Sequence, residues 1–97
     1  MAQTVVSVTI PAGHRKLFFE KPQVLIRTFF NIRALADDTK WAQSKISLGD
    51  PLFASYYVID GPAKYFEARG EGIFQEDIWV QNVSNVNLRY TVSEILV

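Results

Sequence analysis

Apolar side chains recur at every second position through most of this chain, the period at which successive strand residues point to opposite faces. Val6, Val8 and Ile10 alternate with Val5, Ser7 and Thr9, and Pro11-Ala12-Gly13 then signals a turn. A short strand is expected over 15–20, with Leu17 and Phe19 on one face, Phe18 on the other, and Pro22 as its punctuation. The strongest run follows at 23–32. Val24, Ile26, Thr28, Phe30 and Ile32 share one face, opposite Gln23, Leu25, Arg27, Phe29 and Asn31.

Residues 33–43 break this alternation and read as a loop with at most one short helical turn, capped by Asp37 or Asp38 and running towards Trp41. Strands are expected again at 45–48, closed by Gly49-Asp50-Pro51, and at 53–60, closed by Asp60-Gly61-Pro62. Further strands fall at 63–69, within 73–83 (best defined at 78–80), and at 86–97, where Val86, Leu88, Tyr90, Val92 and Leu96 share a face. About eight short strands, with turn signals every ~8–12 residues and no long helical period, predict an all-β fold. The expected architecture is a single antiparallel β-sandwich over residues 1–97, jelly-roll-like, with two Greek keys. An immunoglobulin-like sandwich fits the count nearly as well, without that family's paired cysteines.

Several apolar residues fall on the wrong face for a lone sandwich. If the core takes Leu17, Phe19, Val24, Ile26, Phe30, Ile32, Val92 and Leu96, then Phe18, Leu25, Phe29, Ile95 and Val97 face out, and Trp79 lies opposite Ile78 and Val80. A sandwich with one wetted face per sheet alternates more cleanly. Each outward Phe or Leu buried at a partner contributes roughly 1.5–3 kcal/mol. Phe18, Leu25, Phe29, Trp79, Ile95 and Val97 are therefore the candidate interface, and Phe29→Asp is expected to abolish assembly while sparing the fold.

Composition narrows the function classes. Of 97 residues 48% are hydrophobic, too many for a disordered chain, and ten basic residues balance ten acidic ones. Arg15, Lys16, Lys21, Arg27 and Arg33 make the N-terminal third basic, but without a net excess a nucleic-acid partner is disfavoured. The absence of cysteine excludes disulfides and thiolate metal sites and mildly favours an intracellular origin or stabilisation by a partner. The N-terminus does not read as a signal peptide, and no run approaches the ~20 apolar residues of a membrane-spanning helix, so no membrane partner is expected.

Catalytic chemistry finds little support. His14, the sole histidine, follows a turn and has no identifiable nucleophile or orienting partner; an exposed turn residue is the simpler reading, a pH-sensing or ligand role the other. The Asp37-Asp38 and Glu76-Asp77 pairs could donate to calcium, although Asp is common in turns because its side chain bonds the local backbone. Gly70-Glu71-Gly72 lacks the strand–loop–helix setting of a phosphate cradle. Trp41, Trp79, Tyr56, Tyr57 and Tyr65 could form a stacking platform; packing accounts for most such rings. No enzyme active site, metal or cofactor is expected.

A short cysteine-free chain, an early strand ending at Ile10-Pro11-Ala12-Gly13 and a closing strand over 86–97 resemble the small β-sandwich decoration, or cement, proteins of tailed bacteriophage capsids. The resemblance implies a non-enzymatic virion structural protein. Its dimers or trimers would bridge neighbouring major capsid subunits, and it would pass through the host cytoplasm during assembly. A carbohydrate-binding module with Trp41, Trp79 or Tyr56-Tyr57 as its platform is the alternative, and a tail or baseplate structural protein is a third reading.

Overall fold

The computed structural model describes residues 2–36, 43–60, 65–69 and 75–97, and among them every regular element is a strand. In chain order these are β1 (Ala2–Ile10), β2 (Arg15–Phe19), β3 (Arg27–Ala36), β4 (Gln43–Leu48), β5 (Tyr57–Asp60), β6 (Tyr65–Arg69), β7 (Ile78–Asn82) and β8 (Leu88–Leu96). The first strand pairs with the last, the second with the seventh, the third with the sixth and the fourth with the fifth, all antiparallel. The chain is thus one long antiparallel ribbon rolled over on itself. Pairing of β3 with β8 and of β4 with β7 closes two four-stranded sheets, ordered β1-β8-β3-β6 and β2-β7-β4-β5. This is the jelly-roll arrangement expected from the strand count.

The core lies between the sheets and is aliphatic with a few rings. Ile32, Ile46, Ile78, Val80 and Val92 are fully enclosed, together with Phe30 and Tyr90. Tyr90 on β8 bridges the layers: its hydroxyl meets the Ser44 Oγ of β4 at 2.5 Å, and both groups are buried. Asn82, also buried, ties the turns at one end. Its Nδ2 donates to the carbonyls of Ile10 and Val86, and its Oδ1 accepts from Ser84 N. The β1–β2 turn closes beside it, with Gly13 at φ 78° donating its amide to Asn82 O.

Two bulges break the alternation. Between Leu17 and Phe19 the β2 strand advances two residues against one step of β7, leaving Phe18 as the extra residue. Between Arg27 and Phe29 the β3 strand does the same against β8, with Thr28 as the extra residue. The second bulge shifts the phase of the run expected to fill the core. Arg27 turns inward with Phe30 and Ile32, whereas Val24 and Ile26 precede the strand and are exposed. The strand also continues through 33–36, so these residues are not the loop their weak alternation suggests. The expected helical turn towards Trp41 lies outside the described residues.

The expected strand over 53–60 begins only at Tyr57, because residues 50–54 form a tight turn. The Asp50 carboxylate accepts the amides of Leu52 and Ala54, and Phe53 N donates to Asp50 O. These amides, Ala54 first and Leu52 second, hold the Asp50 carboxyl below its ordinary range. Phe53 sits in the left-handed region at φ 55° and is buried apart from the main core, so packing holds a conformation that a bulky side chain rarely adopts.

Candidate interaction surface

Large apolar side chains collect in the open at one end of the β1-β8-β3-β6 sheet. Val24 is 92% exposed, and Leu25 and Ile26 beside it are also open to solvent. Val97, 57% exposed, joins them through a reciprocal backbone pair: Ile26 N donates to Val97 O at 2.9 Å and Val97 N to Ile26 O at 2.8 Å. Further along the same ladder Phe29 faces Ile95 on the outer surface of the sheet. Both are half-buried, and the Arg69 guanidinium lies over the Phe29 ring at 4.8 Å. Arg69 therefore shields one face of the Phe29 ring from water.

The strip 23–26 has no strand geometry of its own, and its position is set by Arg27. That side chain is 1% exposed and paired with Glu94, Nε to Oε2 at 2.8 Å. Its Nη1 donates to Glu76 O and its Nη2 to Glu20 O, tying both flanking segments to the sheet. The Arg27 backbone is clasped as well: its amide donates to Gln75 Oε1 and its carbonyl accepts from Gln75 Nε2. An arginine fork satisfies several buried acceptors at once, which an aliphatic residue at the head of β3 cannot do. This cluster fixes the backbone immediately after the exposed apolar strip.

Four of the six expected interface residues lie together. Leu25 and Val97 are exposed at the sheet end, and Phe29 and Ile95 are half-buried next to them. Phe18 does not face out: the bulge turns it towards the interior, where it packs against the core and its ring centroid lies 6.1 Å from that of Tyr90. Trp79 lies on the outer face of the other sheet, in register with Leu17 and Ser47, and is half-buried. The 49–54 turn is anchored to that face by Ser47 Oγ donating to Asp50 O and by Arg15 Nη1 donating to Pro51 O. Sequence alternation missed Val24 and Ile26 as exposed residues, because the Thr28 bulge leaves no mark in composition.

A second feature lies at the β5 side. Leu48, Ser55, Tyr56 and Tyr57 line an open cleft of about 300 Å³, and the Lys45 Nζ sits 4.2 Å above the Tyr56 ring. Tyr56, Tyr57 and Tyr65 are exposed, as the platform reading expects. Tyr57 also stacks inward on Phe66 at 5.0 Å, so its ring is partly committed to closing the sandwich. Trp41 lies outside the described residues.

The remaining polar candidates are engaged in turns. His14 is exposed, with Nδ1 3.0 Å from Ala12 O. Asp77 Oδ1 accepts Lys21 N at 2.6 Å, and Glu76 offers its backbone carbonyl to Arg27. Among the described residues no group of three or more His, Asp or Glu side chains is placed to hold a metal ion. Asp37 and Asp38 fall outside them. No helix of the described residues is long and apolar enough to cross a membrane.

No family model matches the chain, and no curated protein matches its sequence. Similar solved structures exist. Peruvianin-I, a cysteine peptidase from Thevetia peruviana latex, aligns with 95% of this chain at 16% identity and a TM-score of 0.54. An oxalate oxidase in complex with the substrate analogue glycolate aligns with 95% at 16% identity and a TM-score of 0.53. The chain spans 49% of the first and 41% of the second, less than half of either. A tobacco streak virus coat protein dimer aligns with 97% of this chain and 86% of that one, at 8% identity and a TM-score of 0.47. At these identities the first two likenesses concern the fold alone, and the third is too loose an overlay to bear on more.

Proposed function

We propose that this chain is a non-enzymatic virion structural protein, a capsid decoration protein that works by burying its apolar sheet end against neighbouring capsid subunits. The observation that carries this reading is the run Val24-Leu25-Ile26 held open beside Val97 by a rigid buried anchor. Three consecutive exposed aliphatics on a fixed backbone are costly to leave in water and lose little entropy on docking. Phe29 and Ile95 extend the same surface, and polar Gln3 and Arg69 flank them in register, an apolar centre with a polar rim. The chain has no cysteine, so the peptidase chemistry in the name of one structural neighbour has no nucleophile of that kind here. Such a protein would be made in the host cytoplasm and function in the particle.

The test is co-sedimentation with undecorated capsids. Wild-type protein is expected to pellet with the particles and Leu25→Asp to stay in the supernatant with an unchanged melting temperature, because Leu25 is exposed. Wild-type protein that never pellets would sink the reading.

The cleft beside Tyr56 favours one alternative, a carbohydrate-binding module. Its exposed rings offer flat apolar faces to a pyranose, with the Ser55 hydroxyl nearby as a hydrogen-bonding group. A glycan array is the check: a sugar-dependent signal that Tyr56→Ala removes would support it, and a blank array would dismiss it.

A further inference from the structure

We infer that β1 is a self-association edge, and that two copies of this chain join through antiparallel β1–β1 pairing into one continuous sheet of eight strands, four from each copy. This goes beyond the docking reading, for it uses a different surface and a different chemistry, main-chain hydrogen bonds rather than apolar side chains.

The two sheets have four edges, and they are not alike. β2 carries Arg15 and Lys16 and is bulged, β5 is only four residues long, and β6 carries Glu67 and Arg69 within five residues. Charge, shortness and bulging are the devices by which proteins keep sheet edges from pairing with other chains. β1 has none of them. It is nine residues long, contains no charge and no proline, and holds unbroken register with β8 from Ala2 to Ile10. Among the described residues only its end is capped, where Ile10 O accepts Asn82 Nδ2. A strand of this kind presents a row of main-chain donors and acceptors on its open side.

A second copy is the occupant that fits. The edge is neutral, so it offers no attraction to a charged partner strand, and the chain as a whole carries no net charge to keep copies apart. Antiparallel pairing about a two-fold axis sets outward residues against outward residues, so neither copy's core face is disturbed. An axis at Val5 places that residue, 59% exposed, against its twin, and Gln3 against Ser7. No like charges meet, and two open valines become a cross-strand pair. An eight-stranded sheet is within the range that twisted sheets reach.

Light scattering on the purified full chain tests this. Wild-type protein is expected to run as a dimer at high micromolar concentration. The double variant Val5→Lys, Ser7→Lys puts like charges across the axis and is expected to weaken the dimer roughly tenfold or more. Both positions face solvent, so circular dichroism should not move, nor should the melting temperature at dilutions where both proteins are monomeric. Amide exchange supplies a second readout: β1 amides should be slower to exchange in the dimer than in the double variant. A wild-type monomer, or a dimer that the lysines leave intact, overturns the inference. A dimer split by Leu25→Asp but not by the lysines also overturns it, and assigns self-association to the apolar sheet end instead. Capsid binding by a monomeric lysine variant would separate the two surfaces, leaving the docking reading standing on its own.

Discussion

Replacing Arg27 with methionine is expected to cost roughly 3–5 kcal/mol of folding stability, a large share of the ~5–15 kcal/mol available to a domain. The volume is nearly conserved, so the loss is electrostatic. Glu94 is 7% exposed and would keep a carboxylate in a site built for a guanidinium. The carbonyls of Glu20 and Glu76 would lose their donors as well. Urea unfolding monitored by fluorescence reads the change as a lower midpoint at constant slope. Changing both partners, Arg27→Met with Glu94→Leu, is expected to recover part of the loss, because no buried charge is then left unpaired. Recovery stays incomplete, since the two carbonyls remain without their donor. Amide exchange at Ile26 and Val97 should quicken in the single variant, as Arg27 anchors the strip that they pair across. A single variant as stable as wild type would remove the anchor on which the rigidity of the apolar strip rests.

The same residue shows where sequence reasoning stops. Strand existence was legible because alternation is local: every one of the eight strands overlaps an expected run. Strand order was not, since nested pairing of first with last depends on contacts across the whole chain. Glu94 carried a readable signal. It sits at core-facing spacing after Leu88, Tyr90 and Val92, a place where a carboxylate demands a cationic partner. Which cation answers depends on the bulge at Thr28, and neither Thr28 nor its neighbours is a glycine or proline that would have marked one. That one-residue slip exchanges Ile26 for Arg27 in the interior and so converts an expected core residue into exposed surface. The bulge at Phe18 works the other way, drawing an expected outward ring into the core. Parity alone places Leu25 and Val97 outward, and they are exposed. The missing charge in β1 was equally visible, but that β1 is an edge strand follows only from topology.

Stability is expected to fall by about 2–3 kcal/mol as pH rises from ~10 to ~12, and Tyr90→Phe is expected to flatten that fall. Burial of Tyr90 between the sheets pushes its phenol up from 10.0 to about 12, and the hydrogen bond with Ser44 offsets only part of the shift. The unfolded chain releases this proton near its ordinary value, whereas the folded chain holds it for about two further pH units. Between those values the folded state binds more protons, so raising pH favours unfolding; below pH ~10 the contribution is fully present and flat. Tyr90→Phe keeps the ring in place and removes the titrating group. At neutral pH it costs about 1 kcal/mol, the usual worth of a buried hydroxyl pair and of the Ser44 Oγ left without it. Urea midpoints at a series of pH values separate the two effects: the variant starts lower and declines less steeply, so the curves cross near pH ~11 and the variant is the more stable by pH ~12. Parallel curves would mean that the phenol ionises without unfolding the sandwich, and that the Ser44–Tyr90 bridge is not what joins the two sheets through the alkaline range.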